Sequence, residues 1–228
     1  MNHQPASVPE TNRPFFCSWS GGKDSCLALY RACQAGAKPA RLLTMFAEDG
    51  IRSRSHGLGK EVLQTQAAQL GIPIVAHSAS WSEYESVFIK ALYRLKQEGI
   101  HAGVFGDIDF LPHLEWDTRI CAMTGMLLCL PLWQCPRLEL LDQFLSAGFK
   151  AVIVTVKEDQ LGREFLGRTI DQQIIGEFRQ KGIDPCGENG EYHTVVVDGP
   201  LFSAPLLLDQ GGIVINSGCC QLDVRVRS

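Results

Sequence analysis

Several features that would settle the class of the protein are missing from its sequence. No Cys-x-x-Cys pair occurs among the nine cysteines, and an odd count with the adjacent pair Cys219 and Cys220 is typical of reduced thiols. A disulfide framework and a zinc site are therefore not predicted. Positive charge is not in excess either, since 21 basic and 25 acidic side chains give a net charge of -4. Without a large positive field, nucleic acid is a disfavoured partner.

Long hydrophobic runs are also missing. The uncharged apolar run at residues 120–136 is too short to span a membrane and contains Pro131 and Gln134, so no membrane partner is predicted. The N-terminal MNHQPASVPETNRP has no apolar segment of the kind found in signal peptides, and we predict a disordered lead-in over residues 1–13. With reduced cysteines, these features predict a cytoplasmic protein. A homo-oligomer is compatible with the sequence.

Short apolar segments alternate with helical patterns through the first half of the chain. The periodicity predicts strands at residues 15–19, 41–47, 73–76, 102–105 and 127–133, and helices at 24–34, 58–70, 81–97 and about 115–127. This alternation predicts an α/β fold, a Rossmann-like parallel sheet with helices on both faces. Ligands of such sheets bind beyond the carboxyl ends of the strands. The loops after the first and fourth strands, residues 18–25 and 106–109, should therefore meet there.

The pattern changes after Pro136. A strong strand at residues 151–156 and a helix at 169–181 are followed by short β-rich pieces from Tyr192 onward. We therefore predict three parts, namely the lead-in 1–13, the α/β domain 14–135 and a smaller C-terminal α+β domain 136–228.

The segment SGGKDS, residues 20–25, lies between the first strand and the first helix. Backbone N–H groups at a helix N-terminus bind anions, and Gly21 and Gly22 leave those groups uncovered by Cβ atoms. Lys23 adds a positive charge, and the serines on either side add hydroxyl donors. The spacing differs from the Walker signature. The segment therefore indicates a phosphate site, with a tight turn as the alternative.

In this position SGGKDS resembles the pyrophosphate loop, or PP-loop, of the N-type ATP pyrophosphatases, which have an adenine nucleotide alpha hydrolase-like fold. The resemblance implies that ATP is cleaved between its α and β phosphates and that AMP is transferred to an acceptor. It also makes 14–135 the ATP-binding domain. The residues then assigned to the nucleotide are Ser18, Ser20, Gly21, Gly22, Lys23, Asp24, Ser25, Met45, His56 and Gly106.

Further motifs resemble the diphthine-ammonia ligase family over most of the chain. They are GDI (106–108), LPLW (130–133), GFKAVIVTV (148–156), FLGRTID (165–171), DPCGENGEYHT (184–194) and DGPLF (198–202). The resemblance implies an ATP-dependent, AMP-forming ligase that adenylates a substrate carboxylate, releases pyrophosphate and then joins ammonia. It implies ATP and Mg²⁺ as cofactors, and an acceptor-binding role for domain 136–228. No glutaminase domain is evident, so ammonia is expected to be free or supplied by a separate donor.

One motif departs from the family pattern. Diphthine-ammonia ligases typically carry Glu-Gly-Gly-Glu-Tyr/Phe-Glu-Thr where this chain has ENGEYHT, residues 188–194. Asn189 thus replaces a glycine, and His193 replaces a carboxylate. The Asn-Gly-Glu-Tyr-His form resembles a bacterial branch of the family. The acceptor is then either protein-bound diphthine on elongation factor 2 or a bacterial small molecule such as a corrinoid- or cobinamide-related acid.

Two groups of carboxylates are candidates for catalysis. Glu188 and Glu191 lie between glycines before a predicted strand, where either could take a proton from ammonium or bind a cation. The alternative is a solvated Asn-Gly turn that opens a hairpin. Asp107 and Asp109 follow the fourth strand, where they could hold magnesium or cap the next helix. We assign catalysis to Lys23, Asp107, Glu188 and Glu191, and no residue to a metal.

The remaining candidates are assigned to the acceptor, the two arginines among them because guanidinium groups grip carboxylate or phosphate in a forked geometry. They are Asn189, Tyr192, His193, Arg119 and Arg168. Either arginine could instead be an ordinary salt-bridge partner, and His56 could be a solvated loop residue. Two other functions stay open, a tRNA-modifying PP-loop ligase and a non-catalytic ATP-binding regulatory protein. The acidic net charge and the lack of cysteine pairs argue against the tRNA ligase.

Overall fold

The computed structural model describes residues 7–216 and 218–227. Its chain forms two compact units. Unit 1 comprises the described residues of 1–20, 24–51 and 72–135, and unit 2 comprises those of 21–23, 52–71 and 136–228. The division into 1–13, 14–135 and 136–228 stays a prediction, and residues 1–6 of the predicted lead-in lie outside the described residues.

The elements follow one another in a largely alternating order. The strands are β1 Pro14–Ser18, β2 Lys38–Phe46, β3 Ile74–Ser78, β4 Ala102–Val104, β5 Leu127–Cys129, β6 Lys150–Lys157, β7 Tyr192–Asp198, β8 Leu208–Asn216 and β9 Cys219–Val226. The helices are α1 Lys23–Gln34, α2 Lys60–Leu70, α3 Tyr84–Gln97, α4 Leu111–Thr124, α5 Arg137–Ser146 and α6 Gln172–Lys181, with a short 3-10 turn at Arg163–Phe165.

Unit 1 contains a five-stranded parallel sheet in the order β3-β2-β1-β4-β5. The central strand β1 is apolar because it is covered completely, with Phe15, Phe16 and Cys17 each 0% exposed. The winding direction reverses between β1 and β4, which are neighbours. The predicted α/β class is confirmed, and the loops after β1 and β4 both leave the carboxyl edge of the sheet.

Two boundaries in unit 1 differ most from the prediction. The strand predicted at residues 127–133 ends at Cys129, and the LPLW segment forms a turn in which Trp133 N donates to Leu130 O at 3.2 Å. Pro131 has no N–H for a strand ladder, which favours the turn. Helix α4 begins at Leu111 rather than near 115, because Pro112 in its first turn is compatible with a helix start.

Unit 2 contains a four-stranded antiparallel sheet in the order β7-β6-β9-β8, together with α2, α5 and α6. Helix α6 begins at Gln172, where Asp171 Oδ1 accepts a hydrogen bond from Ile174 N at 2.8 Å. The helix was predicted from 169, but Thr169 instead forms a β-bridge with Val152. The described helices include none with the length and apolar character that a membrane span requires.

Candidate functional site

The loop between β1 and α1 requires glycine at two consecutive positions. Gly21 has φ +82, a left-handed conformation that side chains rarely adopt, and a Cβ there would lie 2.7 Å from Leu63 Cδ2. A Cβ on Gly22 would overlap His56 Nε2 and lie 3.2 Å from Thr194 O. Both glycine α-carbons are therefore closely packed within unit 2 with no room for a side chain, which is compatible with an anion-binding turn.

A buried glutamine fixes the position of this loop, and sequence reasoning missed it. Gln66 of α2 is 0% exposed, and its Nε2 donates to Gly21 O at 2.9 Å and to Val196 O at 2.7 Å. Val196 N also donates to Gly21 O at 2.9 Å. The available signal was a polar residue on the apolar face of α2, beside Val62 and Leu63.

Lys23 lies within unit 2 against the segment 184–194. It is 5% exposed, its backbone N donates to Thr194 Oγ1 at 3.1 Å, and its Nζ donates to the carbonyl of Cys186. The ammonium also lies 5.3 Å from the centre of the Tyr192 ring, a cation–π contact. The structure thus brings together three predicted features, the loop, its lysine and the DPCGENGEYHT motif.

The two glutamates of this motif have different surroundings. Glu191 is 4% exposed, and its carboxylate accepts hydrogen bonds from Asn189 N and Asn189 Nδ2, each at 3.0 Å. Glu188 is half-buried, and its backbone N donates to Asp184 Oδ2 at 2.8 Å. Helix α6 precedes β7, so the segment does not open the hairpin that the alternative interpretation predicted. Glu191 is instead held in place by Asn189.

His56 and His193 form a pair of imidazoles with ring centres 4.7 Å apart. Burial, followed by the charge of Lys23, lowers the pKa of His193 to about 4. Burial, the neighbouring His193 and Lys23 lower the pKa of His56 well below its usual range. Both rings are therefore neutral at neutral pH, and no described group bonds to His56 Nδ1. Lys23 is the cation of this cluster.

This pair predicts an acid-sensitive fold. The pKa of His193 is about 4 in the folded chain and about 6.5 when unfolded. The neutral ring therefore makes its full contribution to the free energy of unfolding above pH 6.5, and that contribution is lost as pH falls toward 4. The loss from His193 alone is about 3 kcal/mol. We expect urea unfolding of His193→Gln to show a shallower pH dependence over this range than the parent chain. His101→Gln, at an exposed histidine, is the matched control and should follow the parent.

In unit 1 the first turn of α1 packs against the loop after β4. A Cβ on Gly106 would lie 2.8 Å from Ser25 N, and Ser20 Oγ is 3.1 Å from Ser25 Oγ. Ser18 ends β1, and Met45 is 6% exposed within the core. Met45 therefore contributes packing, and its nucleotide role stays a prediction.

An acidic pair, of which the sequence predicted only Asp107, lies at the loop after β4. Asp107 Oδ1 is 2.7 Å from His113 Nδ1. One turn further along α4, Asp117 is 2% exposed. Burial, then the charge of Asp107 and a hydrogen bond with it, raise the pKa of Asp117 far above its usual range. Phe110 is the N-cap of α4 and provides no side-chain cap.

The two arginines assigned to the acceptor are held by carboxylates. Arg119 forms a forked pair with Glu85, and Arg168 forms one with Glu177 at 2.8 and 2.7 Å. Arg168 also stacks on Phe165 at 5.0 Å. The salt-bridge interpretation thus describes both side chains, and their role in acceptor binding stays a prediction.

The described side chains do not form a magnesium cage. They include no group of three or more His, Cys, Asp or Glu residues placed to hold a metal ion. Asp107 already contacts His113, and its neighbour Asp117 favours the protonated form. Magnesium would therefore depend on the phosphates of bound ATP. The use of Mg²⁺ stays a prediction.

Two family models match the chain. The model of the diphthamide synthase N-terminal domain matches residues 15–128, and the model of the diphthamide synthase C-terminal domain matches residues 137–224. The chain belongs to the diphthamide synthase family. The resemblance stated from the motifs is confirmed, whereas these matches do not distinguish a bacterial branch. The assignment of this diphthamide synthase family member to a bacterial branch stays a prediction.

Curated relatives of this family member are named diphthine--ammonia ligases. The Schizosaccharomyces pombe protein is 26% identical over 90% of the chain, which spans only 38% of that protein's length. The Homo sapiens protein is 26% identical over 87% of the chain and 84% of its own length. A solved structure, of a predicted tRNA methyltransferase subunit from Methanocaldococcus jannaschii, shares 20% identity over 82% of this chain and 97% of that one, with a TM-score of 0.46. That overlap supports no argument about function.

Proposed function

We propose that the chain is an ATP-dependent, AMP-forming ligase that joins ammonia to a substrate carboxylate. The observation that carries the proposal is the closely packed glycine turn of SGGKDS at the start of α1, in a chain that belongs to the diphthamide synthase family. Homology to diphthine--ammonia ligases supports ATP-dependent amidation at the level of the family. That the reaction forms AMP is part of the proposal.

The proposed reaction has two steps. The substrate carboxylate attacks the α-phosphorus of ATP, and pyrophosphate leaves while the loop amides and Lys23 stabilise its negative charge. Ammonia then attacks the acyl carbon, the C–N bond forms as the C–O bond to AMP breaks, and the nitrogen releases one proton to water. A carboxylate is already ionised at neutral pH, so the first step needs positioning more than acid-base help. Lys23 is assigned this role because it is buried and directly follows the glycine turn at the start of α1.

Acceptor binding is assigned to the segment around His193. Neutral imidazoles of His56 and His193 stand beside Lys23, and Asn189 orients the buried Glu191. Hydrogen bonds from Asn189 leave Glu191 fixed in one orientation, as expected of a group that positions a substrate or accepts a proton. We propose a carboxylic acid as the acceptor class, with protein-bound diphthine the candidate that the names of the relatives provide.

The test is product analysis with the purified chain. ATP, ammonium chloride and Mg²⁺ are supplied with elongation factor 2 carrying diphthine or with a panel of small carboxylic acids, and nucleotides and pyrophosphate are measured. We expect AMP and pyrophosphate in equal amounts, dependent on the acceptor. Formation of ADP would contradict the proposal. ATP binding without turnover on any acceptor would favour the regulatory function, and turnover only with tRNA would favour the tRNA-modifying ligase.

A further inference from the structure

The group formed by Asp107, His113 and Asp117 in unit 1 takes no part in the proposed adenylation and amidation steps. It follows β4 directly, and the residue before it, Gly106, packs on the backbone of Asp24 and Ser25 in the first turn of α1. His113 and Asp117 are four residues apart on α4, so both lie on the face that meets Asp107.

The innermost member of the group has an unmet acceptor. Asp117 is 2% exposed, and no described donor bonds to its Oδ2. A buried carboxyl oxygen without a donor is costly, so a protein usually satisfies it with water or a bound ligand. The outermost member, His113, has a side chain that is 63% exposed, and Asp107 lies between the two at 21%. The three side chains therefore lead from the interior to solvent.

We propose that Asp107 and Asp117 bind ammonium, and that His113 carries its proton to solvent. Ammonium is a small cation with N–H donors on every side, which suits the Asp107 carboxylate beside the buried carboxyl of Asp117 and its open oxygen acceptor. This ammonium site rests on the proposed function, because the proposed ligase reaction consumes ammonia. Glu83, Asp109 and Glu115, the other acids of the neighbouring loops and of α4, are exposed and offer no such enclosure.

The site also provides the deprotonation that the reaction needs. Ammonium has no lone pair, so it must lose a proton before it attacks a carbonyl carbon. One N–H bond breaks and an O–H bond forms on Asp107; the proton then passes to the imidazole of His113 and from it to water. Proton transfer from ammonium to a carboxylate is unfavourable at equilibrium. The attack of ammonia on the acyl carbon consumes the ammonia and so draws the transfer forward.

Direct binding tests the site without any turnover. ¹⁵N-labelled ammonium chloride is titrated against the full chain at constant ionic strength and followed by NMR, with potassium chloride as the competing salt. We expect saturable binding that Asp107→Asn weakens about tenfold, the loss of one charge-assisted hydrogen bond. Asp117→Leu removes the open oxygens while keeping a similar shape, and it should weaken binding similarly. Should that variant fail to fold, Asp107→Asn, at a partly exposed loop position, still decides the matter.

The matched control is Asp109→Asn, which removes the same charge two residues along the same loop at an exposed position. It should leave ammonium affinity within about twofold. The proposal is overturned if the parent chain binds ammonium no better than potassium, if Asp107→Asn binds as the parent does, or if Asp109→Asn loses as much affinity. Binding without AMP formation on any acceptor would instead refute the proposed function and leave the ammonium site standing.

In an active enzyme the kinetics give a second readout. Asp107→Asn should raise KM for ammonium about tenfold with little change in KM for ATP. Hydroxylamine, which is largely uncharged at neutral pH, should remove most of the deficit because it needs no deprotonation. An equal deficit with hydroxylamine would show that Asp107 acts elsewhere in the reaction and would overturn its ammonium role.

Discussion

Replacing Lys23 with methionine is expected to lower AMP formation about 10³-fold, because the ammonium stabilises the charge of departing pyrophosphate. Methionine is similar in length and apolar, so it can occupy the buried position beside Tyr192 without leaving an unpaired charge. The loss should appear in kcat as well as in kcat/KM, since charge develops on pyrophosphate as the transition state forms. Pyrophosphate release with a saturating acceptor measures it.

The control for this variant is Lys181→Met. Lys181 is an exposed lysine of the same unit that also contacts an aromatic ring, with Nζ 5.8 Å from the centre of Phe165. It should retain full turnover, which separates the effect of Lys23 from a general loss of positive charge. Thermal unfolding of both variants shows whether the fold is kept. Undiminished AMP formation by a folded Lys23→Met chain would remove Lys23 from the mechanism.

The parts of this molecule that could be predicted from sequence are those encoded by neighbouring residues. Buried parallel strands give apolar runs such as FFC in β1, and the SGGKDS turn contains its own glycines, cation and hydroxyls. Both signals lie within a short window. For this reason the alternation alone predicts the α/β class correctly. The apolar run after α4 predicts a strand that continues past Pro131, whereas β5 ends at Cys129.

The residues that escaped prediction have partners far away in sequence. Gln66 bonds to Gly21, 45 residues away, and to Val196, 130 residues away. Nothing local to α2 specifies those carbonyls. Asp117 likewise looks like an ordinary helix residue until α4 is placed beside Asp107. In both cases the signal in the sequence was a polar residue on the apolar stripe of a helix. Such a residue indicates that a hydrogen-bond partner exists, but it does not identify that partner.

Substituting alanine for Gly22 is expected to weaken ATP binding about 10²-fold. The added methyl group would overlap His56 Nε2 and press on Thr194 O at 3.2 Å, so either the ring or the loop must move. A shift of the loop by even part of an ångström misdirects the N–H groups that are meant to meet phosphate oxygens, and such misplacement commonly costs two orders of magnitude. Binding of a non-hydrolysable ATP analogue by calorimetry measures the change.

Two further variants show whether the collision is the cause. Gly176→Ala adds the same methyl group in α6, where nothing lies within 4 Å, and it should keep full ATP affinity while stabilising the fold by about 0.5 to 1 kcal/mol. Adding His56→Ala to Gly22→Ala removes the ring from the path of the new methyl group. Part of the lost affinity should return, because the contact with Thr194 O is the milder of the two. If Gly22→Ala binds the analogue as tightly as the parent chain, the turn does not hold phosphate, and the role of SGGKDS in this protein must be sought elsewhere.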